Sequence, residues 1–166
     1  MSKPDLSSYG GRLRDLGYAG EIVDLNSSDI DSKINDQATA VDFGVFVARS
    51  AADGTCKAPA ADADILLGLS VRHAIRPADS SNNVTYAKND AVPFLKTGFL
   101  YVTAYENATR GDTAISVTAQ NGKVGSTTGG AAGTGRIAAD GTGNKPKVIW
   151  ETTTTAGSIG IVRIVS

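Results

Sequence analysis

Cysteine and histidine are nearly missing from this 166-residue chain, which has one of each, Cys56 and His73. A lone cysteine forms no intramolecular disulfide, so the fold has to rest on its apolar core. A lone histidine excludes a histidine-rich metal site and leaves a Ser-His-Asp triad only distant partners. The two residues stand seventeen positions apart with nothing nearby that marks a thiolate site, which argues against a cysteine nucleophile. Aromatic residues are 6% of the chain, too few for the aromatic platforms beside paired carboxylates that a glycan-active enzyme uses. No charge of one sign predominates: Lys plus Arg number 16, Asp plus Glu 17, and the net charge is -1. Neither a nucleic-acid-binding face nor a polybasic membrane anchor is therefore expected. The densest apolar stretch, Ile65-Leu66-Leu67-Gly68-Leu69, is far shorter than the ~20 residues of a spanning helix. The opening Met-Ser-Lys-Pro-Asp-Leu-Ser-Ser has no apolar run, so no secretory signal is expected and synthesis in a reducing cytoplasm is.

Glycine is plentiful, at 19 residues, which means many turns and few long helices. Period-two alternation marks strands. Val41, Phe43, Val45 and Val47 alternate with Asp42, Gly44, Phe46 and Ala48, and Ile65, Leu67, Leu69 and Val71 alternate with Leu66, Gly68, Ser70 and Arg72. Further strands are predicted at 91–95, 99–105, 113–119, 147–151 and 159–165, with turns at 52–54, 79–83, 96–98 and 110–112. Short strands at this spacing predict an all-β sandwich or barrel. Its expected core is Phe43, Val45, Val47, Ile65, Leu67, Leu69, Val71, Phe99, Tyr101, Val117 and Trp150.

Two segments stand outside that pattern. Residues 1–40 hold seven acidic and four basic side chains with scattered apolar ones, and read as an extended arm ahead of a β domain at 41–166. One short helix is expected in the arm, with Ser28 as its cap and Ile30 and Ile34 on one face. Residues 121–144 carry eight glycines, and only Val124 and Ile137 could reach a core, so a long mobile loop is expected there. The arm's Tyr9, Leu13, Leu16, Tyr18, Ile22, Val23 and Leu25 are costly to leave in water, and Asp24 could pair with a basic residue. These eight residues are the candidate interface, ordering on a partner.

Motifs that would carry chemistry do not survive inspection. Gly133-Thr134-Gly135-Arg136-Ile137-Ala138 matches a dinucleotide fingerprint in letters, but neither a preceding strand nor a following helix is expected. Asp62 with Asp64, and Asp29 with Asp31, lack the spacing of a calcium loop. No catalytic residue, metal site or cofactor site is therefore expected. Arg110-Gly111-Asp112 spells an adhesion tripeptide but reads far better as a glycine turn between the strands at 99–105 and 113–119; an adhesion or receptor-binding module stays as the alternative function.

The order of several segments is similar to one family. Gly17-Tyr18-Ala19-Gly20-Glu21-Ile22-Val23-Asp24, then Asp31-Ser32-Lys33-Ile34-Asn35 and Ala40-Val41-Asp42-Phe43-Gly44-Val45-Phe46-Val47, resemble the opening of tailed-bacteriophage structural cement (capsid decoration) proteins. Ile65 to Arg72, Tyr86 to Pro93 (with Asn89 where glycine is usual) and Lys96 to Val102 resemble later segments of that family, and Trp150 to Val165 resembles its close. The glycine-rich 121–144 departs from the family pattern. The resemblance implies a jelly-roll-like β fold, a homo-oligomer (dimer or trimer), and binding to the major capsid protein on the outer capsid surface. It implies a structural part of the virion, not an enzyme, with neither nucleic acid nor membrane as partner.

Overall fold

The computed structural model of the chain describes residues 17–24, 28–72 and 85–165. Tyr9, Leu13, Leu16, Leu25 and His73 lie outside the described residues. The fold is all-β. Ten strands follow in order: β1 Asp29–Asn35, β2 Phe46–Arg49, β3 Thr55–Lys57, β4 Leu66–Ser70, β5 Ala91–Thr103, β6 Ala114–Val117, β7 Lys123–Ser126, β8 Arg136–Ala138, β9 Lys147–Trp150 and β10 Ile159–Val165. One sheet runs β1-β3-β2-β4-β5-β10-β9, and an extra β1–β5 pairing closes its first five strands into a barrel. The second sheet is β7-β6-β8.

β5 joins the two halves. Its first part pairs with β1 and β4, and its second, from Gly98 to Thr103, pairs with β10. Successive side chains on a strand point to opposite faces. Phe94 accordingly enters the barrel core, with Val41, Val45, Val47, Cys56, Tyr86 and Val92, while Leu95 enters the larger core around Trp150, Leu100, Val102 and Val162. Strands shared in this way are buried on both sides, and Phe46 and Val47 divide between the cores as Phe94 and Leu95 do. The predicted break at 96–98 is absent because β5 continues through it.

Burial on both faces also shifts the expected core. Val45, Val47, Leu69, Val71, Val117 and Trp150 are buried as predicted. Ile65 is exposed, and Leu66 is buried in its place. The cause is a bulge: Val47 pairs with Gly68 and Ala48 with Leu66, so Leu67 is an extra residue that resets the alternation. Leu66 and Leu69 therefore share the larger core, and half-buried Leu67 packs on the barrel. Phe43 is likewise half-buried, edge-on to Tyr86 at 5.2 Å. Phe99 and Tyr101 are on the outward face of β5, with Leu100 and Val102 inside.

The segments expected to be irregular contribute strands. Residues 29–35 form β1 and not a short helix; Ile30 and Ile34 are exposed, and Asn35 is fully buried with Nδ2 donating to the Thr39 and Tyr86 carbonyls at 3.0 and 3.1 Å. The glycine-rich stretch 121–144 is not one continuous loop, because it contains β7 and β8. Val124, Ile137 and Ala139 join the larger core, and the Trp150 indole donates to the Gly125 carbonyl at 3.0 Å. The stretch also folds around an ion pair between Glu106 and Arg136, each about one-fifth exposed. The Arg136 guanidinium donates to the Gly130 carbonyl at 3.1 Å, and the Ser126 N–H donates to Glu106 at 2.9 Å. A side chain at Gly125 or Gly129 would collide with Glu106, so glycine is used there to admit the carboxylate.

Candidate interface

Of the eight candidate interface residues, Tyr18, Ile22, Val23 and Asp24 are described, and the fold brings them to one place. Residues 20–23 run antiparallel to the second half of β5. The Gly20 N–H donates to the Tyr101 carbonyl at 2.7 Å, the Tyr101 N–H to the Glu21 carbonyl at 2.9 Å, and the Val23 N–H to the Phe99 carbonyl at 3.0 Å. Ile22 stands opposite Leu100 and packs inward on the larger core. By strand alternation Val23 is then on the outward face with Phe99 and Tyr101. Asp24 is exposed.

Local geometry fixes this segment. Gly20 has φ +83°, and its backbone lies against the backbone nitrogens of Arg72 and Gly44; Gly44, at φ +67°, faces it in return. A side chain at either position would be strained and would push the two strands apart. The Arg72 N–H donates to the Gly20 carbonyl at 2.6 Å, and its guanidinium stacks 4.6 Å from the Tyr18 ring centre and 5.7 Å from that of Phe43. Tyr18 remains 54% exposed. Gly17 lies on the Tyr101 ring, where any Cβ would run into it.

The outward face extends across β10 and β9. Ile161 pairs with Tyr101, Arg163 with Phe99 and Ile149, and Ile159 with Thr103. Val23 and Ile159 are 40% and 37% exposed, and Phe99, Tyr101, Ile149 and Ile161 are half-buried. An open groove of about 590 Å³ runs along this face, walled by Tyr101, Thr152 to Thr155, and Ser158 to Ile161. Arg163 and Glu151 form an ion pair of 2.7 Å beside it. An apolar centre with a hydroxyl-rich rim is the make-up of a protein–protein contact surface. Sequence reasoning placed Phe99 and Tyr101 in the core and gave Ile149, Ile159 and Ile161 no role. The available signal was Ile159-Gly160-Ile161-Val162, a strand apolar on both faces, one of which the described residues do not fully bury.

The titratable groups point to structure. Burial pushes the Cys56 thiol up to about 11, so it is no nucleophile at neutral pH. The Ser50 hydroxyl, donating at 2.7 and 2.8 Å, holds the Asp36 carboxyl below its usual value. For Asp64, burial acts upward, but Lys57 at 2.6 Å and the Ala60 and Ala61 N–H groups outweigh it and the carboxyl is lowered. Asp112, in the adhesion-like tripeptide, accepts from the Thr109 N–H at 2.8 Å and so closes its own turn. Gly133 to Arg136 form a tight turn into β8, with no helix to receive a phosphate. Among the described residues no group of three or more His, Cys, Asp or Glu could hold a metal ion, and no helix is long and apolar enough to cross a membrane.

Comparison with known proteins agrees with the fold. A family model described as structural cement protein (E217 gp24/Pam3 gp6) matches residues 6–165. Among solved structures, a chain from "The capsid of Myoviridae Phage XM1" superposes with a TM-score of 0.64 at 17% identity, over 88% of each chain. No curated protein sequence matches.

Proposed function

This chain belongs to the phage structural cement protein family, and on that premise we propose that it binds the outer surface of the assembled capsid and cements contacts between capsomers of the major capsid protein. A structural part of the virion, it works by contact and not by chemistry. The observation that carries the reading is the outward face of β9, β10 and β5, an apolar strip with a hydroxyl-rich groove that the described residues leave open. A protein seated across a seam touches more than one coat subunit, so the first contact raises the effective concentration for the second. Preference for the assembled lattice then stabilises that lattice by mass action. Self-association as a dimer or trimer would multiply such contacts, and Val23 supplies one margin of the surface. The adhesion alternative gains nothing from Arg110 to Asp112, whose carboxylate is engaged within its own turn.

The test is retention on purified capsids. Val23→Asp and Ile159→Asp put charge on exposed positions of the face, so the fold is kept. Each is expected to weaken cosedimentation with capsids by about tenfold or more while the far-UV spectrum stays unchanged. Full retention of both variants would refute the face as the capsid contact. Binding of the capsid-free protein to host cells would favour the adhesion reading.

A further inference from the structure

β1 has an edge that its own sheet does not finish. The strand pairs with β5 from Asp29 to Ile34, but with β3 only at Ile34 and Asn35. The Ile34 N–H donates toward β3, to the Gly54 carbonyl at 3.1 Å. Every second residue along a strand directs its N–H to the same side, so Ile30 and Ser32 face that side too, beyond the point where β3 ends. The Ser32 N–H there is met by the neighbouring Asp31 carboxylate at 2.8 Å, a local stopper and not a strand partner. Among the described residues no strand pairs with this edge at Asp29 to Lys33. Ile30 and Ile34 are 45% and 42% exposed beside it, and Asp29 and Asp31 are exposed on the alternate face. Asp29 pairs loosely with Lys96 at 3.5 Å. An exposed edge with apolar side chains is a template for an added strand.

We infer that this edge receives residues 12–16 of a second copy of the chain, added antiparallel to β1. The segment Arg12-Leu13-Arg14 alternates cation, apolar, cation. Set antiparallel with Leu13 opposite Ile30, it puts Arg12 opposite Asp31 and Arg14 opposite Asp29. Directly opposite residues share a face, so each cation meets a carboxylate and the two apolar side chains meet each other. Reach along β5 favours a second copy over the chain's own segment. Gly17 is held at Tyr101, and Ile30 is level with Leu95, six β5 residues away or about 20 Å. Leu13 stands four residues before Gly17 and can reach at most about 14 Å from it. The added strand therefore comes from a neighbour, and exchange closes a pair when it is reciprocal or runs on from copy to copy when it is not. This deepens the cement reading by naming the contact between copies, and rests on it only for the setting.

Site-specific cross-linking of the full-length protein tests it. With Cys56→Ser as background, Leu13→Cys and Ile30→Cys are made separately and together. Under mild oxidation the expected product is a disulfide-linked dimer when the two single variants are mixed, and linked dimers or longer chains from the double variant. A link confined to one chain, or none, overturns the inference. A second measurement uses charge: Asp29→Lys with Asp31→Lys is expected to lower self-association in sedimentation velocity by about tenfold, and added Arg12→Glu with Arg14→Glu to restore it. Unchanged association of the first variant, or no restoration, also overturns it. The same proteins are then bound to capsids. Wild-type retention without any cross-link rejects strand exchange alone, whereas failure of wild type to bind capsids rejects the cement reading.

Discussion

At the scale of single residues, what alternation alone decides is parity, and a bulge is enough to change it. Leu69 is fully buried in the larger core while Leu67 is half-buried against the barrel. Leu69→Ala is expected to cost ~2–5 kcal/mol through the cavity it leaves, and Leu67→Ala measurably less. Urea unfolding of the two variants checks the order. Cys56 gives a second expectation. A cysteine thiol ordinarily titrates at 9.0 and this one at about 11 in the fold, so ionisation favours the unfolded chain. Stability from this site is intact below pH 9 and declines as pH rises toward about 11, which comparison with Cys56→Ala in alkaline urea titrations reads out. Asp36 and Asp64, both lowered, act in the opposite sense. What they add is present at neutral pH and declines as pH falls below the usual carboxylate value.

Among elements, those with a strict period were readable in the sequence and those held by partners were not. β10, at Ile159 to Val165, lies where alternation placed it, and β9 differs by one residue. β7 and β8 were hidden because their strand character comes from long-range contacts: the Trp150 indole on Gly125, and Arg136 held by Glu106. Glycine normally weakens a strand, so composition argued for a loop. Replacing residues 121–144 by a short turn is therefore expected to abolish cooperative folding, since Val124, Ile137 and Ala139 leave the core with it. A preserved thermal transition would contradict this. Glu106→Gln removes one partner of a mostly buried pair and is expected to destabilise by about 1–3 kcal/mol, read by thermal unfolding. β1 was missed for a different reason. It is a mostly exposed strand whose Ile30 and Ile34 stand four apart, a spacing equally open to a helix turn.

For the whole molecule, the all-β class and the family resemblance could be read from the sequence, whereas the closure of five strands into a barrel could not. Closure depends on β1 finding β5 across more than fifty residues, and no local pattern records that. Residues 17–24 and β1, which composition assigned to the arm, are built into the domain. Deleting residues 1–16 is expected to leave the melting temperature within a few degrees and to weaken retention on capsids by about tenfold. Deletion through residue 24 removes Ile22 from beside Leu100 as well and is expected to lower the melting temperature. Differential scanning calorimetry separates the two. The 13-residue β5, flanked by β1 and β4 on one half and by β10 and residues 20–23 on the other, also decides how the molecule bears tension. A pull along β5 loads its flanking ladders lengthwise, so their hydrogen bonds must give way together and not one by one as in a peeled hairpin. Resistance to force is set by the barrier to unfolding more than by equilibrium stability. A protein of this build would yield late and abruptly when pulled along that strand.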